Sequence, residues 1–209
     1  MNIFQPGTLP PELGAMVTTR SLMVDQTLFH QGGTTADGFL LMGGRLKLVR
    51  YIDENHSFTL GMVKPGEWVA PWALFETQHR CSAIATKPTQ VQVYPKFSLL
   101  PTLRTHGALA IAVMEQLAVQ LHTLSFQHGL RDVRAAHDRL RYYLVNLSPP
   151  EITGSTVIEL EYPFKDIAAD LGLTPETLSR ALSRLESMGN ITRSRNVITL
   201  YSSFPTAAG

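Results

Sequence analysis

From Ser21 to about Pro95 the apolar residues fall into short runs separated by glycine and polar turns. The runs Ser21–Val24, Thr27–Gln31, Phe39–Met42, Arg45–Tyr51, Ser57–Val63, Trp68–Ala70, Ala83–Thr86 and Gln90–Tyr94 predict strands. Gly32-Gly33, Gly43-Gly44, Asp53-Glu54-Asn55 and Lys64-Pro65-Gly66 predict the turns between them. Many short strands at such spacing form a double-sheeted roll or barrel. Ahead of them, residues 1 to about 20 are a proline-punctuated lead with room for one helical turn.

The period then changes. Helical spacing predicts a long helix from about Thr105 to Gln127, with Ala110, Met114, Leu117, Leu121, Leu124 and His128 recurring in alternating steps of four and three. That is a heptad seam, the pattern of a two-stranded coiled coil, so these residues are expected to meet a second copy of the chain. A helix packed on its own roll needs a wider stripe, for which Leu103, Ile111 and Val113 are available. Gly129 is expected to break or bend the helix and form a hinge. Another helix is expected over Arg131–Leu147, with Val133, Leu140, Leu144 and Leu147 apolar and Ser148-Pro149-Pro150 as its stop. A strand follows over Val157–Leu160. The predicted chain is α+β: a roll over 1–104, a dimer helix and hinge over 105–130, and a C-terminal domain over 131–209.

The C-terminal domain is organised around Pro163–Ile191, which reads as two short helices joined by a tight turn. Ile167, Ala168 and Leu171 share one face of a first helix over Lys165–Leu171, and Gly172 supplies the freedom to leave it. Thr174 stands at an N-cap position, Pro175 at the first helical position and Glu176 in the first turn. Leu178, Ala181, Leu182 and Leu185 give the second helix a buried stripe, leaving Thr177, Ser179, Arg180, Ser183 and Arg184 on its other faces. Such a pair fits major-groove reading, although the pattern alone is also that of a plain helical hairpin. Thr192-Arg193 and Val197–Leu200 predict a two-stranded wing around Ser194-Arg195-Asn196, before a polar tail.

Composition changes this picture only locally. With 44% hydrophobic residues the chain belongs with globular proteins, and its net charge of +1 does not announce nucleic acid. From Thr177 to Tyr201, however, Arg180, Arg184, Arg193 and Arg195 face Glu186 alone, a small basic surface. A lone cysteine, Cys81, excludes an internal disulfide and a thiolate-rich metal site. The amino terminus lacks a basic region followed by an apolar core, and the apolar run near Leu109 is broken by Glu115. A cytoplasmic chain with no membrane partner is expected.

The residues Ile167-Ala168-Ala169-Asp170-Leu171-Gly172, Glu176-Thr177-Leu178-Ser179-Arg180 and Leu185-Glu186-Ser187-Met188-Gly189-Asn190-Ile191 resemble the helix-turn-helix of the Crp/Fnr superfamily of bacterial transcription regulators. The run LFHQGGTTADGFLLMGGRLKLVR and the later VKPGEWV resemble that family's cyclic-nucleotide-binding-type β-roll. The resemblance implies a homodimer on double-stranded DNA, with RNA polymerase as a further partner if the protein activates. It implies DNA contacts from Thr174, Glu176, Thr177, Ser179, Arg180, Arg184, Arg193 and Arg195. The combination of Glu176, Ser179 and Arg180 resembles the Fnr branch and implies a palindromic TTGA-type operator. That branch's iron–sulfur cluster needs several cysteines, and this chain has one.

The roll departs from the family in its ligand cassette. Ala70, Pro71, Trp72 and Ala73 stand where cyclic-nucleotide binders carry Gly-Glu-Leu-Gly/Ala, and Cys81 stands at the arginine position with Arg80 one place off. Proline neither accepts from a ribose hydroxyl nor donates to phosphate, so cyclic AMP binding is not expected. Trp68, Pro71, Trp72, Arg80, Cys81 and Ser82 are the candidate effector-pocket residues. With Phe75, the two tryptophans suit haem or a hydrophobic metabolite, or else they are ordinary roll core. His30, His56 and His79 are the candidate ligands, each otherwise read as a surface histidine, and Cys81 as a buried structural one. Constitutive DNA binding without an effector is the alternative. A cupin-like metalloenzyme is the rival from another class, but it needs a His-x-His pair, which this sequence lacks. No catalytic or metal-ligating residue is assigned.

Overall fold

The computed structural model describes residues 8–149, 154–160 and 163–201. Pro150 and the tail after Tyr201 lie outside the described residues. The architecture is α+β, in two compact units that divide between Leu121 and His122, within one long helix.

In the first unit a short helix α1 (Pro11–Gly14) precedes eight antiparallel strands in two four-stranded sheets. One sheet has the order β1 (Thr18–Leu22), β8 (Thr89–Pro95), β3 (Asp37–Gly43), β6 (Trp68–Val69). The other has β2 (Thr27–Phe29), β7 (Ser82–Ala85), β4 (Leu46–Tyr51), β5 (Ser57–Val63). Strand periodicity of two divides the side chains between two cores. Phe39, Leu41, Val69 and Val91 join Phe29, Leu46 and Cys81 between the sheets. Their neighbours Leu40, Trp68 and Tyr94 point the other way, into a second core shared with the helices. Gly44 turns β3 into β4 with φ +86°, and a Cβ there would collide with the Pro88 carbonyl.

Helix α2 (Lys96–Thr105) was not foreseen, because Pro101 interrupts its pattern. Leu99 nevertheless buries into the second core, and tertiary packing outweighs the lost hydrogen bond. After His106 the long helix α3 spans Gly107–Asp132, and only then does the chain leave the helix. By length and composition α3 could cross a membrane. Its first turns are instead packed on the roll through Leu109 and Val113. Gln116 Oε1 accepts from Trp68 Nε1 at 3.0 Å, and Gln120 Nε2 donates to the Trp68 carbonyl at 3.0 Å. Leu103 also packs here, whereas Ile111 is exposed and does not belong to the roll-facing stripe.

Two boundaries differ from the sequence expectation. Gly129 does not end α3: Phe126 and Leu130 pack into the C-terminal core on either side of it, and this outweighs a helical glycine's cost of about 1 kcal/mol. The next helix, α4 (Ala136–Leu147), therefore starts later than Arg131, after the link formed by Val133 to Ala135. The second unit is completed by β9 (Ser155–Glu159), α5 (Phe164–Asp170), α6 (Pro175–Ser187), β10 (Ile191–Ser194) and β11 (Val197–Tyr201). Its sheet has the order β10-β11-β9 and its core joins Leu140, Leu144, Ile158, Ile167, Leu178, Leu182 and Leu200.

His79 is a correction to the surface reading. It is buried, its ring stacks on Phe29 at 3.8 Å and 9°, and among the described residues its Nδ1 finds no hydrogen-bond partner. The segment is drawn inward because His79 N donates to the Gly33 carbonyl and the His79 carbonyl accepts from Gly32 N, both at 2.8 Å. Burial, then the nearby Lys96 charge, holds its pKa below the ordinary 6.5. Below about pH 6.5 the unfolded chain therefore takes up a proton that the folded roll resists, and stability falls as pH falls. Urea unfolding of the roll should show a smaller loss between about pH 7 and 5 in His79→Phe than in the unchanged protein. The substitution keeps an aromatic stack and removes the titrating group.

Candidate nucleic-acid interface

Helix α5 ends at the C-cap Leu171 and closes through a double bond pattern: Gly172 N donates to the Ala169 carbonyl at 3.1 Å and Leu173 N to the Ala168 carbonyl at 2.8 Å. The pattern needs a left-handed residue, which Gly172 supplies at φ +63°. Thr174 then caps α6, its Oγ1 accepting from Thr177 N at 3.2 Å, and Pro175 opens the helix as expected. Leu178, Ala181, Leu182 and Leu185 are all buried, so the opposite side of α6 is held facing solvent.

On that side Glu176, Ser179, Arg180 and Arg184 are exposed. The Thr177 hydroxyl is occupied within the site, near Thr174 Oγ1 at 3.0 Å and accepting from Arg180 Nη2 at 3.2 Å. It orients the Arg180 guanidinium. The Glu176 carboxyl is held below the ordinary carboxylate range by its own backbone N–H, then by Thr174 and the Arg180 charge. At neutral pH it is an acceptor beside a five-donor cation, a pairing suited to cytosine amino and guanine edges.

The wing places its arginines differently. β10 and β11 pair from Ile191↔Leu200 to Ser194↔Val197, leaving Arg195 and Asn196 as a two-residue turn with Arg195 left-handed at φ +52°. Arg195 projects at the tip, and among the described residues it makes no hydrogen bond or ion pair. Arg193, expected to meet phosphate, is drawn back to α6: its Nε lies 3.0 Å from Glu186 Oε2 and its Nη2 donates to Ser183 Oγ at 3.4 Å. It braces the wing on the reading helix. Sequence reading missed Ser183 and Glu186 as its partners, because no strand or helix period links residues seven or ten apart across a chain reversal. Arg195→Ala should weaken operator and random DNA alike and lower the slope of log affinity against log salt by about one.

Residues 138–202 match the family model of the Crp-like helix-turn-helix domain, and residues 19–106 that of the cyclic nucleotide-binding domain. The chain belongs to the Crp/Fnr family. It is similar to the cAMP-activated global transcriptional regulator CRP of Salmonella typhimurium, with 23% identity covering 84% of this chain and 85% of that one. It is also similar to the transcriptional activator protein FnrA of Stutzerimonas stutzeri, with 26% identity covering 81% and 71%. Its fold is like that of FixK2 from Bradyrhizobium japonicum, with a TM-score of 0.66 and 21% identity covering 92% of this chain and 99% of that one. Like its relatives, this Crp/Fnr chain is a DNA-binding transcription regulator.

The Crp/Fnr roll in this chain does not fit a cyclic nucleotide at its cassette. Ala70 is left-handed at φ +48° and leads into a 3-10 helix, Pro71–Phe75, that carries no acidic side chain. Cys81 is fully buried between the sheets, and burial pushes its thiol up to about 11. Arg80 is exposed, its Nε 2.6 Å from Glu76 Oε1. Ser82 Oγ is taken by Gln31 N at 2.9 Å. Trp68 is 1% exposed, stacked at a tilt against Tyr94, while Trp72 is 38% and Phe75 79% exposed. The six candidate pocket residues are therefore spread over two cores and the surface. A cavity of about 620 Å³ opens elsewhere, between Thr34–Ala36, Glu76-Thr77 and α2. No histidine or cysteine lines it, so it offers haem no axial ligand. His30 is exposed, and His56 Nδ1 lies 2.9 Å from Asp53 Oδ1 on the surface. Among the described residues, no three His, Cys, Asp or Glu gather as metal ligands.

The seam has a graded exposure. Ala110 is half-buried and Leu117 packs partly against the roll. Met114 at 58%, Leu121 at 66% and Leu124 at 48% are exposed, as is His128.

Proposed function

We propose that the protein is a homodimeric, sequence-specific transcription regulator that reads a palindromic TTGA-type operator. The observation that carries this reading is the exposed Glu176, Ser179 and Arg180 face of α6, on a helix whose other side is locked into the core. Arg180 makes a bidentate contact to guanine, Glu176 accepts from a cytosine amino group and Ser179 meets a neighbouring base edge. Thr174, Arg184 and Arg195 contact the backbone. Met114, Leu121 and Leu124 are covered by the same seam of a second copy. Two-fold symmetry then sets the half-sites about one helical turn, ~34 Å, apart.

The altered cassette supports operator binding without a cyclic nucleotide, either constitutively or under a different effector of the roll. The protein acts in the cytoplasm, without catalysis, and engages RNA polymerase where it activates. The test is enrichment of bound duplexes from a random pool, with the mass of the complex measured. A TTGA palindrome carrying two chains is expected. One chain per duplex, or enrichment without a palindrome, overturns the reading.

A further inference from the structure

Arg139, in the first turn of α4, gives its guanidinium to three carbonyls at once. Nε and Nη2 donate to the Val133 carbonyl at 3.2 and 2.9 Å, and Nη2 also donates to the Arg131 carbonyl at 3.2 Å. Nη1 donates to the Leu171 carbonyl at 2.8 Å. The first two acceptors stand at the end of α3, where the last carbonyls have no helical N–H to receive. The third is the C-cap of α5, immediately before the turn glycine of the helix-turn-helix. Positive charge at two helix C-termini is also where the helix dipoles favour it. A Cβ added at Gly172 would lie 3.6 Å from Arg131 Nε and 3.8 Å from Arg139 Nη1, so both arginines lie over the turn itself.

We propose that Arg139 is the positioning residue that fixes the helix-turn-helix to the last turn of α3, so that the reading helix moves as one body with that turn. The leucine-rich core holds the same elements together but has no directional preference. A planar fork reaching three carbonyls sets an angle, and a single ammonium cannot reach both ends.

The test uses the full-length protein with spin labels at Ser125→Cys on α3 and Ser187→Cys on α6, both exposed positions. Labelled chains are diluted with unlabelled ones, and Cys81 is too buried to be labelled. The distance distribution should be narrow with Arg139 and clearly broader in both Arg139→Lys and Arg139→Gln, while the thermal midpoint of the C-terminal unit stays close to the parent value. A second readout rests on the homodimer reading above. On the preferred palindrome the lysine variant should bind about threefold to thirtyfold more weakly, and should lose little where the half-sites are one base pair further apart. Equal loss at every spacing with an unchanged distance distribution overturns the proposal. So does unfolding of both variants, which would make Arg139 a stabiliser and no more. The distance measurement needs no DNA and no partner copy, so failure to find a palindrome counts against the homodimer and not against the clasp.

Discussion

Replacing Arg180 with alanine should lower operator affinity about tenfold to a hundredfold, ~1–3 kcal/mol, and leave binding to random duplex nearly unchanged. Arg180 lies outside the core, so the loss is one of contact and not of folding. Its guanidinium is already oriented through Thr177 Oγ1 at 3.2 Å, and Thr177 is tied to the N-cap Thr174. Less side-chain freedom is then lost on binding, and a bidentate contact to guanine keeps more of its worth. The measurement is a titration of operator and scrambled duplex at one fixed salt concentration, because affinities across salts cannot be compared. Discrimination between the two should collapse. Equal losses on both would instead make Arg180 a phosphate contact.

The second large effect lies on α3. The double substitution Leu121→Glu with Leu124→Glu should raise the dimer dissociation constant by at least about a thousandfold, given ~1.5–3 kcal/mol for each leucine that a partner would bury. Both side chains are exposed within one chain, so the monomer should keep its circular dichroism and its unfolding midpoint. Sedimentation should report the change in mass. Operator affinity should fall with it, because the second reading head no longer binds at the high effective concentration that linkage provides. A variant that remains dimeric would place the interface on another face. Leu117 is a poor site for this experiment, since it also packs on the roll and its loss would mix folding with assembly.

How much was legible depended on whether a signal was local. The helix-turn-helix was written in adjacent residues: Gly172 for a left-handed turn, Thr174 as cap, Pro175 at the first position, and a buried stripe at helical spacing. Each acts within a few residues, so the structure reproduces them almost position by position. The roll strands were visible for the same reason, although β3 hid its division between two cores, because Phe39, Leu40 and Leu41 are all apolar. The exposed side chains of Met114, Leu121 and Leu124 follow the heptad spacing that the sequence shows, since that spacing repeats along one helix.

Other features depended on residues far apart in the chain. Helix α2 carries Pro101 in its interior and α3 runs through Gly129, because packing of Leu99 and Leu130 outweighs local propensity. His79 looked polar and exposed until Phe29, fifty residues earlier, provided a stacking face. Arg193, an expected DNA contact, is paired with Glu186, and three carbonyls from two other helix ends converge on Arg139, to which no local pattern points. By itself, then, the sequence determined the family resemblance, most of the elements and the exposed face of α6, because caps, turns and periodicity act over one or two turns of chain. Only the tertiary structure decided which arginines stay exposed and which brace the fold. That choice depends on distances between side chains whose separation in sequence says nothing about their separation in space.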